Sequence, residues 1–208
     1  MTPFRHPIAG LMLMVLVPLA QAASDATAEL GSRLRALGSY QADFLQISEL
    51  SGGQRKETVH GQLSVQRPDR FRWVVSSPYQ QTIVSDGRDV RIHDPDLMQM
   101  TVRPLDKAWG QTPALLFSGD AAGLAREFTV TRTGQGTVTT YQLTPRAKDA
   151  VFANVQLSFK GEQPDSLALQ DSLGQKTRIV FSQGRLNASL PASAFTLKPP
   201  PGTDVIRE

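Results

Sequence analysis

The chain has three histidines, and outside the N-terminal segment that contains His6, nucleophilic catalysis would have to use His60 or His93. The 208 residues contain no cysteine, so a thiolate nucleophile is excluded, and a serine would need one of these histidines as its base. His60 occupies a polar position in an alternating segment, and His93 precedes a turn. The Gly-x-Ser-x-Gly motif that exposes a serine nucleophile is absent. These features favour a protein without catalytic residues.

Metal and phosphate chemistry is the other possibility that the residue types raise. Asp86, Asp94 and Asp96 could offer carboxylates to calcium, but Leu97-Met98 follows where a calcium loop would need further oxygen ligands. The Asp-Pro-Asp and Asp-Gly pairs are typical of turns. The sequence has neither a zinc pattern nor a glycine-rich phosphate loop. We therefore predict no metal site and no cofactor.

The charge distribution argues against nucleic acid as a partner. The chain has 22 basic and 19 acidic side chains, a formal net charge of +3. Apart from Arg55-Lys56, the basic residues are interspersed with acids. Binding to a phosphate backbone would need a concentrated basic face, which this pattern does not predict.

Residues 1–22 are interpreted as a cleaved export signal. Arg5 precedes an apolar run, and Ala20-Gln21-Ala22 offers small residues for signal peptidase. The run is shorter than the roughly 20 residues of a membrane-spanning helix, so an uncleaved anchor is the weaker alternative. Ala23 follows in place of the cysteine that a lipid anchor requires. Residues 23–208 are then expected to form one soluble periplasmic domain without disulfides.

Apolar periodicity predicts one helix followed by many strands. Leu30, Leu34 and Leu37 share a helical face, Ser24 or Asp25 could cap the helix, and Gly38 ends it. Alternation of apolar and polar residues then dominates. Strands are predicted at 40–44, 59–65, 71–75, 81–84, 90–92, 97–102, 127–132, 138–143, 154–159, 166–170 and 177–181. Short helices are expected after Thr112-Pro113 and at 191–194.

The predicted fold class is mainly β (α+β). The strands should form a single curved antiparallel sheet, an unclosed half-barrel whose apolar face the helices cover as a lid. A loose cover would leave an apolar cavity for a ligand. We expect large apolar side chains to converge there: Phe71, Trp73, Ile83, Ile92, Met98, Met100, Phe117, Tyr141, Phe159 and Phe195. For any one of them an ordinary core position is the simpler interpretation, although methionine suits a site for varied apolar ligands.

One ordered set of motifs spans nearly all of residues 23–208. It begins with Gly61-x-Leu63-x-x-x-Arg67-Pro68-x-x-Phe71-x-Trp73 and resembles the signature of the outer-membrane lipoprotein carrier proteins, the LolA family. The resemblance continues through Pro78, Gln81, Ser85-Asp86-Gly87, Asp94-Pro95-Asp96-Leu97-Met98-Gln99, Thr112-Pro113, Asp171-x-x-Gly174-x-x-Thr177 and Phe195-x-x-x-Pro199-Pro200-x-Gly202-x-Asp204-Val205-Ile206. Each piece is weak alone, and the ordered set is specific.

The resemblance implies a periplasmic chaperone that is not an enzyme. Such a protein accepts acylated lipoproteins that an inner-membrane ABC transporter releases, shields their acyl chains, and delivers them to the outer-membrane acceptor lipoprotein LolB. Nothing in the sequence suggests an obligate dimer, so a monomer is expected.

The resemblance also assigns roles to residues. Arg67 resembles a latch that bonds to lid-helix carbonyls, with partners near Leu34 and around Phe117. Without the resemblance, an arginine at the solvated end of a strand would be the simpler interpretation. Phe71 and Trp73 should line the cavity, and Leu115, Leu116 and Phe117 should form the lid.

Two departures from the family pattern concern the shape of the cavity. Arg91-Ile92-His93 stands where many members carry aromatic residues, and Ala114 stands where a bulkier apolar residue is common. A lipid- or lipoprotein-sensing module on the same scaffold is the alternative function, although such proteins usually carry a further domain or a membrane span. The acceptor relative would need a lipid-modified cysteine, and a hydrolase would need the missing motifs.

Overall fold

The computed structural model describes residues 19–49, 56–105, 115–118 and 121–208. Most of the predicted export signal therefore lies outside the described residues, as do Thr112, Pro113 and Ala114. Among the helices that the structure describes, none is long and apolar enough to cross a membrane.

The first helix, α1 (Leu19–Ala36), begins earlier than the apolar periodicity predicts. Ser24 and Asp25 lie inside it, so the prediction that one of them caps the helix is wrong. The alanine-rich segment around them favours helix, and the helix runs on through it. Its apolar side is buried at Ala26, Leu30 and Leu34.

Within the described residues, twelve strands form one sheet in the order β12-β6-β5-β4-β3-β2-β1-β11-β10-β9-β8-β7. The first six are β1 (Ser39–Glu49), β2 (Lys56–Gln66), β3 (Arg70–Ser77), β4 (Gln81–Asp86), β5 (Asp89–Asp94) and β6 (Gln99–Pro104). The others are β7 (Phe128–Gln135), β8 (Val138–Pro145), β9 (Phe152–Lys160), β10 (Gln163–Asp171), β11 (Lys176–Leu186) and β12 (Asp204–Arg207). The edge strands β7 and β12 do not pair with each other, which confirms the predicted unclosed sheet.

Three short helical segments complete the fold. They are α2 (Leu115–Ser118), α3 (Ala121–Glu127) and a 3-10 helix (Ala192–Phe195). The first and last match the two predicted short helices, whereas α3 was not predicted. Its sequence, AAGLARE, places only Leu124 as a large apolar residue, which is too little to show a helical period.

Cross-strand register gives the sheet one apolar face, which we call the inner face. Leu63 lies opposite Trp73, Trp73 opposite Ile83, and Ile83 opposite Ile92. On the other half of the sheet, Ile179, Leu167, Leu157 and Tyr141 form a second row on the same face. Because successive residues of a strand point to opposite faces, the alternating sequence places these side chains together. Helix α1 and residues Leu116, Phe117 and Leu124 pack into the same cluster.

The outer face carries a separate buried group, which includes Phe195, a residue predicted to lie on the inner face. Phe195 is buried where the 3-10 helix packs on β3 and β4, with the Arg70 guanidinium 6.0 Å from its ring centroid. Val84, opposite Arg72, is buried on this face too. The prediction that Phe195 lies on the inner face is therefore wrong. It is an anchor for the segment that joins β11 to β12.

Strand β12 was not predicted, and it makes the only parallel pairing among the described strands. Val205 lies opposite Met100, and the N–H of Asp204 donates to the carbonyl of Met98 at 2.8 Å. Arg103 and Glu208 form an ion pair at 3.4 Å beside this pairing. Four residues are too few for an alternation to stand out in the sequence.

The two ends of the sheet differ in the turns that they carry. The β2–β3 turn with Arg67 lies at one end, together with the turns that follow β4, β7 and β9. The turns that follow β3, β5, β8 and β10 lie at the opposite end, because neighbouring strands in sequence run antiparallel. We call these the Arg67 end and the far end.

Gly61 allows two aromatic rings to lie against the backbone of β2 and β3. A Cβ at this position would lie 2.0 Å from the Val74 carbonyl oxygen and 2.4 Å from Cζ of Phe44. The Phe44 ring in turn stacks on Trp73 with centroids 3.9 Å apart. The inner face at this point therefore requires a residue without a side chain.

We predict that Gly61→Ala lowers the free energy of unfolding by about 2–3 kcal/mol, because the added methyl overpacks a rigid site. Urea denaturation measures this change. Thr58→Ala, an exposed position on the same strand, should change stability by less than about 0.5 kcal/mol. Equal stability of Gly61→Ala and the unmutated protein would contradict the close packing of Phe44 and Trp73.

Candidate functional site

Phe117 lies at the centre of the inner face. Its side chain is fully buried, with its ring centroid 5.3 Å from Phe181 in an edge-to-face arrangement and 6.3 Å from Tyr40. The Tyr40 hydroxyl donates to the carbonyl of Pro164 at 3.2 Å. Neither Tyr40 nor Phe181 was among the predicted cavity residues. A four-residue helix thus inserts one aromatic side chain over the middle strands β1 and β11.

Arg67 holds the backbone of that helix. Its Nη1 donates to the carbonyl oxygen of Phe117 at 2.8 Å, and its own N–H donates to the carbonyl of Gly38 at 3.0 Å. The contact around Phe117 is the one that the family resemblance predicted. The last carbonyls of a helix have no partner within the helix, so a guanidinium placed there satisfies one of them. The arginine joins the β2–β3 turn to α2.

Several predicted cavity residues belong to this same packed face. Phe71, Trp73, Leu116, Tyr141 and Leu34 are buried members of the inner cluster, and Phe159 joins them. Ile83 and Ile92 are half-buried and pack against it. Leu115 lies in α2, but its side chain falls outside the described residues.

Met98 and Met100 are corrections to the predicted cavity. Met98 lies in the β5–β6 turn with a φ of 50° and is 66% exposed. Met100 is buried, but it lies opposite His93, whose own partner Thr82 follows the outer face. Met98, Met100 and Val102 alternate in the sequence, but alternation alone does not show which face of the sheet a set of residues occupies. The β5–β6 turn sets the register, and this register places Met100 and Val102 on the outer face.

A polar network joins α1 to the half of the inner face that β7, β8 and β9 form. Arg33 donates from Nη1 to the carbonyl of Gly161 at 2.8 Å, and its guanidinium lies 5.6 Å from the Phe159 ring centroid and 6.0 Å from that of Tyr141. Glu29 contacts Arg33 at 3.5 Å and Arg132 at 3.0 Å. Cation–π contacts with desolvated rings are among the stronger interactions of an arginine.

Burial raises the pKa of two tyrosines on this face. Burial first, and then the Glu29 carboxylate, raise the pKa of Tyr141 to about 12. Burial, aided by the charge of Asp165, raises the pKa of Tyr40 well above its usual range. The Tyr141 hydroxyl is buried and makes no hydrogen bond within the part of the chain that the structure describes. Both side chains are therefore uncharged at physiological pH.

Two of the aspartates considered as calcium ligands, Asp86 and Asp94, accept hydrogen bonds from the backbone of turns. The carboxylate of Asp86 accepts the N–H groups of Arg88 and Asp89, each at 3.0 Å, and pairs with Arg91. Asp94 accepts the N–H of Leu97 at 3.2 Å. Asp86 and Asp94 thus fix turns. Among the described residues, no group of three acidic, histidine or cysteine side chains could hold a metal ion.

The arrangement defines a lidded half-barrel that covers an apolar face with its own helices. One lid element, α1, is fixed by an ionic network, and the other, α2, is held by Phe117 and Arg67. The covered face is lined by apolar side chains, and among the residues described no catalytic group is assembled on it. The class of protein is a carrier of apolar groups.

Comparison with known proteins gives the family. Residues 35–198 match the family model of the outer membrane lipoprotein carrier protein LolA. An outer-membrane lipoprotein carrier protein of Chromohalobacter salexigens is 40% identical over 208 residues, covering 100% of this chain and 99% of the relative. One from Alcanivorax borkumensis is 41% identical over 203 residues, covering 95% of this chain and 97% of the relative.

The chain therefore belongs to the LolA family of outer-membrane lipoprotein carrier proteins, which are periplasmic chaperones and not enzymes. Solved structures show the same fold at low identity. A LolA superfamily protein from Nitrosomonas europaea has a TM-score of 0.52 at 13% identity, covering 85% of this chain and 98% of that one. An uncharacterized conserved protein from Thermus thermophilus has a TM-score of 0.55 at 14% identity, covering 87% and 98%.

We predict that stability declines above about pH 10 and that Tyr141→Phe reduces the decline. The unfolded chain loses tyrosine protons near pH 10, whereas folded Tyr141 keeps its proton to about pH 12. The folded state therefore binds more protons in this window, and its stability falls as the pH rises. Urea denaturation at several pH values measures the effect. A variant whose stability falls as steeply as that of the unmutated protein would show that Tyr141 ionises normally.

Proposed function

We propose that acyl chains of outer-membrane lipoproteins bind between the inner face of the sheet and α2, in the space that Phe117 fills. The carrier function follows from the family, and the burial of Phe117 against Tyr40 and Phe181 supports this location. In the lidded state Phe117 substitutes for the ligand. An acyl chain that enters displaces the ring and the helix that carries it.

The free energies on the two sides of this exchange are comparable. Burial of about ten acyl methylenes is worth about 8 kcal/mol, so lipoproteins do not cross water unaided. Removing a buried phenylalanine from its packing costs about 3–5 kcal/mol, and a charge-assisted hydrogen bond adds about 1–3 kcal/mol. Lid closure therefore offsets a large part of the acyl burial. A carrier needs this balance, because it must release what it binds.

Arg67 is the residue that sets the balance in this proposal. Its hydrogen bond to the Phe117 carbonyl exists only when α2 lies over the sheet, so it stabilises the empty, closed state. A residue that favours the empty state lowers the affinity for cargo and promotes release. The predicted second partner near Leu34 stays a prediction.

The route of the cargo completes the proposal. Residues 1–22 direct export and are removed, and a monomer of residues 23–208 then receives lipoproteins from an inner-membrane ABC transporter and passes them to LolB. The absence of cysteine suits the oxidising periplasm, because no disulfide has to form. The full-length match to carriers favours this function over the sensing module.

We predict that Arg67→Leu leaves folding and lipoprotein uptake intact and impairs transfer to LolB at least about tenfold, which corresponds to loss of one charge-assisted hydrogen bond. The measurement loads the protein with a radiolabelled lipoprotein from spheroplasts and follows transfer to purified LolB. Arg88→Leu, an exposed arginine at the same end of the sheet, is the matched control and should transfer normally.

Normal transfer by Arg67→Leu would remove this residue from the release step. Failure of the unmutated protein to leave spheroplasts with a lipoprotein would contradict the proposed cargo site itself. The two results are distinguishable, because uptake is measured before transfer.

A further inference from the structure

Exposed apolar side chains in the described residues concentrate at the far end of the sheet. Among the six large apolar residues that are most exposed, only Ile206 lies in a strand. The other five are Tyr79, Leu97, Met98, Val151 and Leu173, all in the turns between neighbouring strands at this end. Single exposed apolar residues are ordinary, but their collection at one end is a surface feature.

These five apolar residues fall into two groups, one with acidic neighbours and one with basic neighbours. Leu97 and Met98 lie in the β5–β6 turn beside Asp94 and Asp96. Burial raises the pKa of Tyr79, and the nearby charges of Glu57 and Asp94 raise it further. We call this group the acidic turns. On the other half of the sheet, Val151 and Leu173 lie in adjacent turns, because the N–H of Ser172 donates to the carbonyl of Val151 at 3.0 Å.

Basic side chains surround the second group. Lys176 follows Leu173 on β11, and Arg178 lies two residues further on the same outer face. Within the described part of the chain neither Lys176 nor Arg178 makes an ion pair. We call Val151, Leu173, Lys176 and Arg178 the basic turn pair.

The acids near the basic turn pair are already engaged. The carboxylate of Asp171 accepts the N–H groups of Leu173 and Gln175 at 2.9 and 2.8 Å. Glu49 pairs with Lys56 at 2.8 Å, and its pKa is lowered by that hydrogen bond and charge and, to a smaller extent, by the charge of Lys176 opposite it. Lys148 and Asp149, next to Val151, offset each other in charge. The charge of Asp171 stays in place, so Lys176 and Arg178 together leave an excess of one positive charge beside two protruding apolar side chains.

A depression on the outer face continues this surface. It has a volume of about 400 Å³ and is bordered by Lys56, Lys176 and Arg178, with the Glu49 carboxylate, paired to Lys56, on the same border. Ile47 and Ala168, which lie opposite Arg178 on the neighbouring strands, form its apolar floor. Cations around an apolar floor fit a phosphate headgroup with the first part of its glycerol or acyl moiety.

We propose that the basic turn pair is a docking surface for an anionic phospholipid bilayer. Leu173, 81% exposed, and Val151 enter the interface, and Lys176 and Arg178 lie at the level of the phosphates. Protruding apolar side chains with flanking cations are the combination that binds anionic membrane surfaces reversibly. The acidic turns offer as much apolar surface, but the bilayer charge repels their carboxylates.

This proposal goes beyond cargo transport, because the surface lies on the outer face and at the opposite end from Arg67. It gives the carrier a weak affinity for the membrane at which it would load. The contact uses two side chains and two charges, so it is transient and sensitive to salt.

The test is flotation of the empty protein, purified from the periplasm, with lipoprotein-free vesicles. One set contains equal parts of phosphatidylglycerol and phosphatidylcholine, and the other contains phosphatidylcholine alone. We expect binding to the anionic vesicles only, with loss of binding at high salt. Lys176→Gln should weaken it about fivefold and Leu173→Gln about tenfold.

Leu97→Gln is the matched control, since Leu97 is 67% exposed in a turn at the same end. It should bind vesicles as the unmutated protein does. Equal binding to both vesicle types, no binding to either, or an equal loss in Leu97→Gln and Leu173→Gln would overturn the proposal. Unchanged binding by Leu173→Gln would also overturn it, because vesicle lipid would then enter at the inner face. Circular dichroism establishes that each exposed variant is folded.

Discussion

The hydrogen bond between Arg67 and the carbonyl of Phe117 is the contact on which the proposed binding and release of cargo depend. The sheet presents one wide apolar face, and water must be kept from it whether or not cargo is bound. Phe117 covers the centre of that face, and Arg67 hydrogen-bonds to its carbonyl. Because the acceptor is a backbone carbonyl, the bond depends on the position of α2 and not on the side chain at position 117.

The two helices over the inner face are held in different ways. Helix α1 is tied by Arg33 to Gly161 and to the rings of Tyr141 and Phe159, with Glu29 linking Arg33 to Arg132. Helix α2 is held by the buried ring of Phe117 and by the hydrogen bond from Arg67 to its backbone. In the proposed mechanism α2 opens while α1 keeps its place on β7 and β8.

The sequence allowed most strands and the inner face to be predicted, because alternation at period two is a direct record of which side chains are buried. It failed where geometry outside the strand decides. Met100 alternates correctly but follows a turn that places it on the outer face. Phe195 could be predicted to be buried, but its sequence context does not show on which face of the sheet. The Phe117 contact of Arg67 came from the family resemblance, since one arginine beside a proline has no pattern of its own. Strand β12 and helix α3 are too short to show a period.

The central claim is that Phe117 and the acyl chain occupy the same space. Replacing Phe117 with 4-fluorophenylalanine and recording ¹⁹F NMR spectra with and without bound lipoprotein tests it with little change in packing. In the empty protein the ring should give one resonance that a paramagnetic solvent probe does not broaden. In the loaded protein the account predicts a shifted resonance that the probe broadens. A resonance that keeps its position and its protection in the loaded protein would contradict the claim and place the acyl chain elsewhere.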